Sequence, residues 1–311
     1  MAAEIFLNST ILVISIVVIC KGANWLVDSS SKIAKRLGVS ELIIGLTIVA
    51  FGTSAPEFCV TVSAALRGAG DISVGNIIGS NIFNLGIILG GVAIIRNLKT
   101  NTALVHRDGF FLLVGSILAV VMLWDLELSR VEGLILFSML FIYLVFLYDS
   151  RESIKDVEVQ TGDFEKKDLF FLVLGLGFLL IGSHFLIFSS VHLARIFGIS
   201  EWIIGATIIA AGTSAPEIAT SIIAAIRGHD SISIGNLIGS DIFNIFGALG
   251  LAASLRSMTF DISARPSLIV YPIMVLFVLL FLRTGWILSR REGLVLFIFG
   301  IVRWTYSLLV H

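Results

Sequence analysis

Apolar residues run in ten long blocks, about 5–34, 40–67, 71–96, 102–124, 130–148, 168–195, 200–227, 231–255, 262–284 and 291–309, with short polar breaks between them. Each block comes close to or exceeds the ~20 residues that carry an α-helix across a bilayer. No period-two alternation runs through them, so helices rather than a barrel must satisfy the backbone in lipid. The expected fold is all-α and integral to the membrane, with ten transmembrane helices. The opening segment MAAEIFLNSTILVISIVVIC has Glu4 where a leader would be basic and has no small-x-small cleavage site, so it reads as a retained first helix.

The ten blocks are one unit written twice. A shift of 160 residues aligns the halves from about Gly22 to Phe137 without a gap, and GVSELIIGLTIVAFGTSAPE (38–57) returns as GISEWIIGATIIAAGTSAPE (198–217) with 15 of 20 letters identical. DISVGNIIGSNIFN (71–84) returns as SISIGNLIGSDIFN (231–244), and RVEGLILF (130–137) as RREGLVLF (290–297). The expected domains are a first five-helix repeat over 1–149, a linker over 150–167 and a second repeat over 168–311. Five spans per half force the second half to enter the membrane from the opposite side, the inverted-repeat plan of many secondary transporters. Broken helices at mid-membrane complete that plan.

Composition narrows the function. With 57% hydrophobic and 14% charged residues and a mean hydropathy of +1.02, the chain cannot cover a water-soluble surface. Its net charge of −1 provides no basic stripe for nucleic acid. Sorting Lys and Arg by side puts 14 on the face of the 150–167 linker and 6 on the other, with Lys21 inside the first helix. The linker is therefore expected in the cytoplasm and both termini outside a cell membrane. Cys20 and Cys59 fall inside helices and read as two buried thiols.

The candidate chemistry lies in GTSAPE, at 52–57 and 212–217. Pro56 and Pro216 have no N–H for the carbonyls of Gly52 and Gly212, so each breaks its helix. A break at membrane depth exposes carbonyls, Ala50 and Ala210 among them, and starts a second half-helix with Glu57 or Glu217 in its partially positive first turn. An ionised carboxylate there costs ~3 kcal/mol or more and calls for a counter-charge. No Lys or Arg lies near the middle of the second, third, seventh or eighth block, so a bound cation must supply it. Thr53, Ser54, Thr213 and Ser214 add hydroxyls, giving the all-oxygen set that suits hard cations such as Ca²⁺, with ~6–8 ligands. Two carboxylates balance one Ca²⁺ or two Na⁺, which is what exchange at a single site needs. Gly75 with Gly79, and Gly235 with Gly239, make small-residue faces for close helix approach. Ser80 with Asn84, and Ser240 with Asn244, share a helix face and read either as ligands or as interhelical hydrogen-bond glue. Asp241 breaks the repeat at the position of Asn81 and is expected at the rim or as a packed acid.

These four motif copies resemble those of the calcium/cation antiporter superfamily, especially its prokaryotic-type sodium/calcium exchangers. GTSAPE is similar to that family's GTS-x-P-E/D signature, and GNIIGSNIFN and GNLIGSDIFN to its GN-x-x-GSN element. The resemblance implies ten helices in inverted repeats and alternating access driven by the sodium gradient. It implies Glu57 and Glu217 as shared carboxylate ligands, oxygens from Thr53, Ser54, Thr213 and Ser214, and carbonyls from Ala50 and Ala210. Ser80 and Ser240 would serve outer sodium sites, and Asn84 and Asn244 would line the centre. Some archaeal-type members carry aspartate where Asn244 stands, which bears on the charge of the central site. The acid usual in calcium/proton exchangers is absent after Asn76 and Asn236, so sodium coupling is favoured, with calcium/proton or potassium-dependent exchange as alternatives. The implied substrates are Ca²⁺ and Na⁺, with no cofactor, no enzymatic step and no obligatory protein partner.

Two rivals belong to other classes. An intramembrane hydrolase would use Ser54 or Ser214 with a buried His184, yet nucleophilic catalysis wants one serine and one base, and the serines come in equal pairs. A cation channel would use the same oxygens, but inverted halves around broken helices favour alternating access. Among the remaining polar residues, Lys21 is expected to snorkel and Asp28 to be wetted. His106, His192 and His229 read as surface residues, and Glu41 and Glu201 as helix-start charges.

Overall fold

The computed structural model describes residues 2–149, 166–199 and 204–309. The chain is helical, with α1 (Ala2–Leu37), α2 (Glu41–Thr53), α3 (Ala55–Leu66), α4 (Gly70–Ile95), α5 (Leu104–Met122) and α6 (Arg130–Asp149) in the first half. The second half has α7 (Lys166–Ile196), α8 (Thr207–Thr213), α9 (Ala215–Ile226), α10 (Asp230–Leu255), α11 (Ile262–Arg283) and α12 (Arg290–Leu309). Among the described residues seven helices are long and apolar enough to cross a membrane, or nine if the bent pairs α2/α3 and α8/α9 each count as one span. The helix α12 is present but carries Arg290, Arg291, Glu292 and Arg303. Most of the expected linker, residues 150–165, and Glu201 lie outside the described residues.

The surface is inverted relative to a protein in water. Outward positions carry Phe6, Val145, Val131 and Phe146, whereas Thr53, Glu57, Asn81, Asn236 and Asp241 are buried. That distribution places the apolar solvent outside and the polar chemistry at the centre. The interior is built on α10 and α4, whose most apolar stretches are 89% and 72% buried, against 17% for α1. The helices α1 and α7 form a separate pair joined through glycines: a Cβ on Gly22 would lie 2.8 Å from the Gly175 carbonyl oxygen.

Four two-residue strands tie the halves together. Strand β1 (Leu98–Lys99) pairs antiparallel with β4 (Ile287–Leu288), and β2 (Glu127–Leu128) with β3 (Met258–Thr259). Under the 160-residue shift β1 corresponds to β3 and β2 to β4, so each pairing maps onto the other. A two-fold relation between the halves has this consequence, with one small sheet at each end of α5.

Candidate cation site

The two GTSAPE segments break their helices as the prolines require. Backbone at Ser54 turns to φ −79°, ψ 5° and at Ser214 to φ −84°, ψ 8°. The helices bend by 50° between α2 and α3 and by 51° between α8 and α9. Pro56 and Pro216 sit in the first turn of the second half-helix, where a missing N–H costs nothing. The carbonyl freed at Gly212 accepts a 2.7 Å hydrogen bond from Ser183 Oγ. Ala50 is less free than expected: helical bonding continues to Ser54, whose N–H donates to the Ala50 carbonyl at 3.0 Å.

The buried acids are joined across the halves. Ser54 Oγ donates to Glu217 Oε1 at 3.0 Å, and Ser214 Oγ donates to Glu57 Oε1 at 2.9 Å. Each glutamate is 1% exposed, and Glu57 Oε2 and Glu217 Oε2 have no hydrogen-bond partner. The side-chain oxygens of Asn84 and Asn244 are likewise buried and unpartnered. No salt bridge or hydrogen bond from a basic side chain reaches either glutamate among the described residues. Such atoms forfeit hydration without replacement. A hard cation is the kind of partner that could restore it through oxygen ligands alone.

The two central helices are shaped at the same level. Their ladders widen into π turns over Asn84–Ile88 in α4 and Phe243–Leu249 in α10, a local irregularity common at functional sites. A cavity of about 240 Å³ touches Ser54 and Asn244 and is walled by Phe51, Phe58 and Phe243.

Sequence reasoning missed a supporting layer. Asn76 Nδ2 donates to the Glu57 carbonyl at 3.2 Å and to Thr61 Oγ1 at 2.9 Å. In the other half Asn236 Nδ2 donates to Ser221 Oγ at 3.0 Å, while Asn236 Oδ1 accepts from Thr53 Oγ1 at 3.0 Å. Thr61 and Ser221 stand four residues after the glutamates, and Asn76 and Asn236 open the second motif in both copies, which was the available signal.

The halves are not in the same conformation. On α10, a Cβ at Gly239 would meet Ala50 Cβ and the Leu46 carbonyl oxygen at 2.7 Å each, and Ser240 Oγ approaches the Ala50 carbonyl at 3.5 Å. On α4, Gly75 and Gly79 have nothing within 4 Å, contrary to the expected close approach. Among the described residues no bond joins Ser80 to Ala210. Val49 is 0% exposed and its counterpart Ile209 39%. Thus α2 is closed onto α10, whereas α8 stands off α4.

Several expectations need correction. Cys20 and Cys59 face outward from their helices and His184 is exposed, so none of the three is buried, and His184 is no partner for a nucleophile. Asp28 is not simply wetted, because Arg227 pairs with it and with Asn24. Glu41 accepts from Ser31 and lies 2.9 Å from His229 Nδ1, which takes His229 off the list of free surface residues. Of the two places expected for Asp241, the structure has the packed acid and not the rim: it is 0% exposed, where α10 crosses α4.

Comparison with known proteins agrees with this geometry. A family model described as "Sodium/calcium exchanger protein" matches residues 8–148 and 167–308. The chain belongs to the sodium/calcium exchanger family. Among its relatives, the sodium/calcium exchanger MaX1 of Methanosarcina acetivorans is 34% identical, covering 95% of this chain and 97% of that protein. Inner membrane protein YrbG of Escherichia coli is 32% identical over 92% of this chain and 91% of its own length. The solved sodium-calcium exchanger NCX_Mj, soaked with Na⁺ and Ca²⁺, superposes with a TM-score of 0.85 at 30% identity, covering 95% of this chain and 97% of that one.

Proposed function

We propose that the chain is a secondary antiporter that exchanges Ca²⁺ for Na⁺ by alternating access. The observation that carries this reading is the reciprocal pair Ser54–Glu217 and Ser214–Glu57, with both Oε2 atoms unpartnered and, among the described residues, no basic group on either acid. Glu57 and Glu217 supply the charge that one Ca²⁺ or two Na⁺ would neutralise. Thr53, Thr213, Ser54, Ser214, Asn84, Asn244, Ser80, Ser240 and the carbonyls of Ala50 and Ala210 complete an oxygen cage for ions arriving from alternate faces. Its occupants are substrates.

The finer architecture follows the same reading: ten spans, with α12 as the tenth, in two inverted five-helix repeats over 1–149 and 168–311. Both termini lie outside and the 150–167 linker lies in the cytoplasm, which gives the face of that linker the larger share of Lys and Arg. In that orientation α2 is the cytoplasmic half-helix and α8 the outer one, so the conformation described here is shut inside and loosened outside. The two-fold relation of the strand pairs and the unequal closure of α2 and α8 support it. Alternating access then consists of α8 closing on Gly75 and Gly79 while α2 leaves Gly235 and Gly239.

The test is Ca²⁺ flux in proteoliposomes under imposed Na⁺, K⁺ or H⁺ gradients. An outward or inward Na⁺ gradient should drive Ca²⁺ the opposite way, and Glu57→Gln and Glu217→Gln should each abolish flux while the protein stays folded by gel filtration. Flux that ignores the Na⁺ gradient, or near-wild-type flux from either variant, defeats the reading.

A further inference from the structure

We infer that Asn81 and Asp241 are positioning residues that fix the amide orientation of the two central asparagines, so that Asn84 and Asn244 present oxygen to the cation. The inference rests on the proposed cation site and adds what sets its ligand orientation.

An asparagine side chain has nearly identical shape with its oxygen and nitrogen exchanged, and only its partners decide which end faces a site. At this site the choice matters, because an NH₂ aimed at a cation repels it. Asn84 Nδ2 donates to Asp241 Oδ1 at 3.0 Å, and Asn84 Oδ1 is left buried without a partner. A carboxyl oxygen that carries no proton only accepts, so Asp241 Oδ1 takes the nitrogen end of Asn84 and leaves Asn84 Oδ1 for another partner. On the other side Asn244 Nδ2 donates to Asn81 Oδ1 at 2.9 Å, and Asn244 Oδ1 is again buried and free.

Asn81 could itself be flipped, and the structure shows what prevents this. Its Nδ2 donates to the Asp241 backbone carbonyl at 3.2 Å, which can only accept and so commits the Asn81 oxygen to Asn244, while Tyr271 Oη, which can accept or donate, anchors the same nitrogen at 2.9 Å. Under the 160-residue shift Asn81 corresponds to Asp241 and Tyr271 to Phe111, which has no hydroxyl. One half therefore fixes its ligand with an asparagine whose nitrogen is tied to a backbone carbonyl and anchored by a tyrosine, and the other with the side-chain oxygen of an acid. This gives a physical reason for the one polar difference between the two copies of the motif, Asp241 opposite Asn81.

Partners that orient a metal ligand typically alter metal affinity by about 10–100-fold when removed. The test is Na⁺-driven Ca²⁺ uptake by the full chain in vesicles, with KM and maximal rate measured separately. Asp241→Leu should raise the KM for Ca²⁺ by about tenfold or more, and Asp241→Asn, which keeps an accepting oxygen, should restore most of it. In an Asn84→Ala background Asp241→Leu should add nothing further. Should Asp241→Leu fail to fold, Tyr271→Phe carries the test: it should raise KM about two- to fivefold, within the range for a lost hydrogen bond, and the rise should vanish beside Asn244→Ala. Wild-type KM in Asp241→Leu, no rescue by Asp241→Asn, or full additivity with Asn84→Ala would each overturn the assignment. The last would make Asp241 a ligand in its own right. Absence of Na⁺-driven uptake in the wild type would instead strike the proposed function.

Discussion

Gly79→Ala and Gly239→Ala are the same chemical change at equivalent positions, yet they should push the protein in opposite directions. A Cβ on Gly239 would sit 2.7 Å from Ala50 Cβ and from the Leu46 carbonyl oxygen. Carbon contacts are best at about 3.5–4.0 Å, so α2 must retreat from α10 by about 1 Å. Overpacking of this kind costs about 1–3 kcal/mol, or about a 5- to 150-fold change in the ratio of two conformations. Gly79 has open space in the same direction, so its methyl is silent in the conformation described here and meets α8 only when α8 closes. Gly239→Ala thus disfavours the α2-closed form and Gly79→Ala preserves it. The assay needs Cys20 and Cys59 replaced by serine, because both are exposed. Single cysteines at Val49 and Ile209, 0% and 39% exposed, then report each half-helix to a membrane-impermeant thiol reagent. Gly239→Ala should raise labelling at position 49. Gly79→Ala should leave it low, hold position 209 accessible and slow Ca²⁺ turnover. A Gly79→Ala protein that exchanges at the wild-type rate, or two variants that shift labelling the same way, would refute the two-conformation reasoning.

Ser54→Ala and Ser214→Ala each remove a hydrogen bond to a buried carboxylate, worth about 1.5–3 kcal/mol when the acceptor is charged. Because each serine serves the other half's glutamate, the coupling in Ca²⁺ affinity should be larger for Ser54→Ala with Glu217→Gln than with Glu57→Gln in an equilibrium binding cycle. Ser183→Ala deprives the Gly212 carbonyl of its 2.7 Å donor and should lower thermal stability by about 1–3 kcal/mol. The substitution leaves every proposed ligand in place, so loss of exchange without loss of stability would count against this structural role.

The helical blocks, the duplication and the two breaks were legible because membrane spans, repeats and prolines act locally. Glu57 and Glu217 stood out because lipid makes an unpaired acid expensive whatever surrounds it. The cross-connections were not legible. That Ser54 serves Glu217 rather than the neighbouring Glu57 depends on how the halves interlock, and no periodicity encodes that. For Asp241 the rim and the packed acid both stayed open for a related reason: its angular offset from Ser240 points away from one helix face, and only the packing reveals that α4 lies on the other side to receive it. Exposure was misjudged for Cys20, Cys59 and His184 because an apolar helix bordering lipid has no polar stripe to mark its outer face.

The duplication also explains why the interlocked acids suit a carrier better than a fixed metal centre. Among the described residues no cluster of three or more His, Cys, Asp or Glu could hold a metal; in the proposed site the two glutamates share the ion with neutral oxygens carried on the helices. Ala50 and Ser240 are 3.5 Å apart while their counterparts Ala210 and Ser80 are unbonded, so the cage is tightened on one side and relaxed on the other. Exchanging which side is tightened leaves Glu57 and Glu217 bridged through Ser214 and Ser54, because that pair maps onto itself under the repeat. The acids can therefore stay at the centre while the walls trade roles, and an ion held there changes the face it sees with little movement of its own.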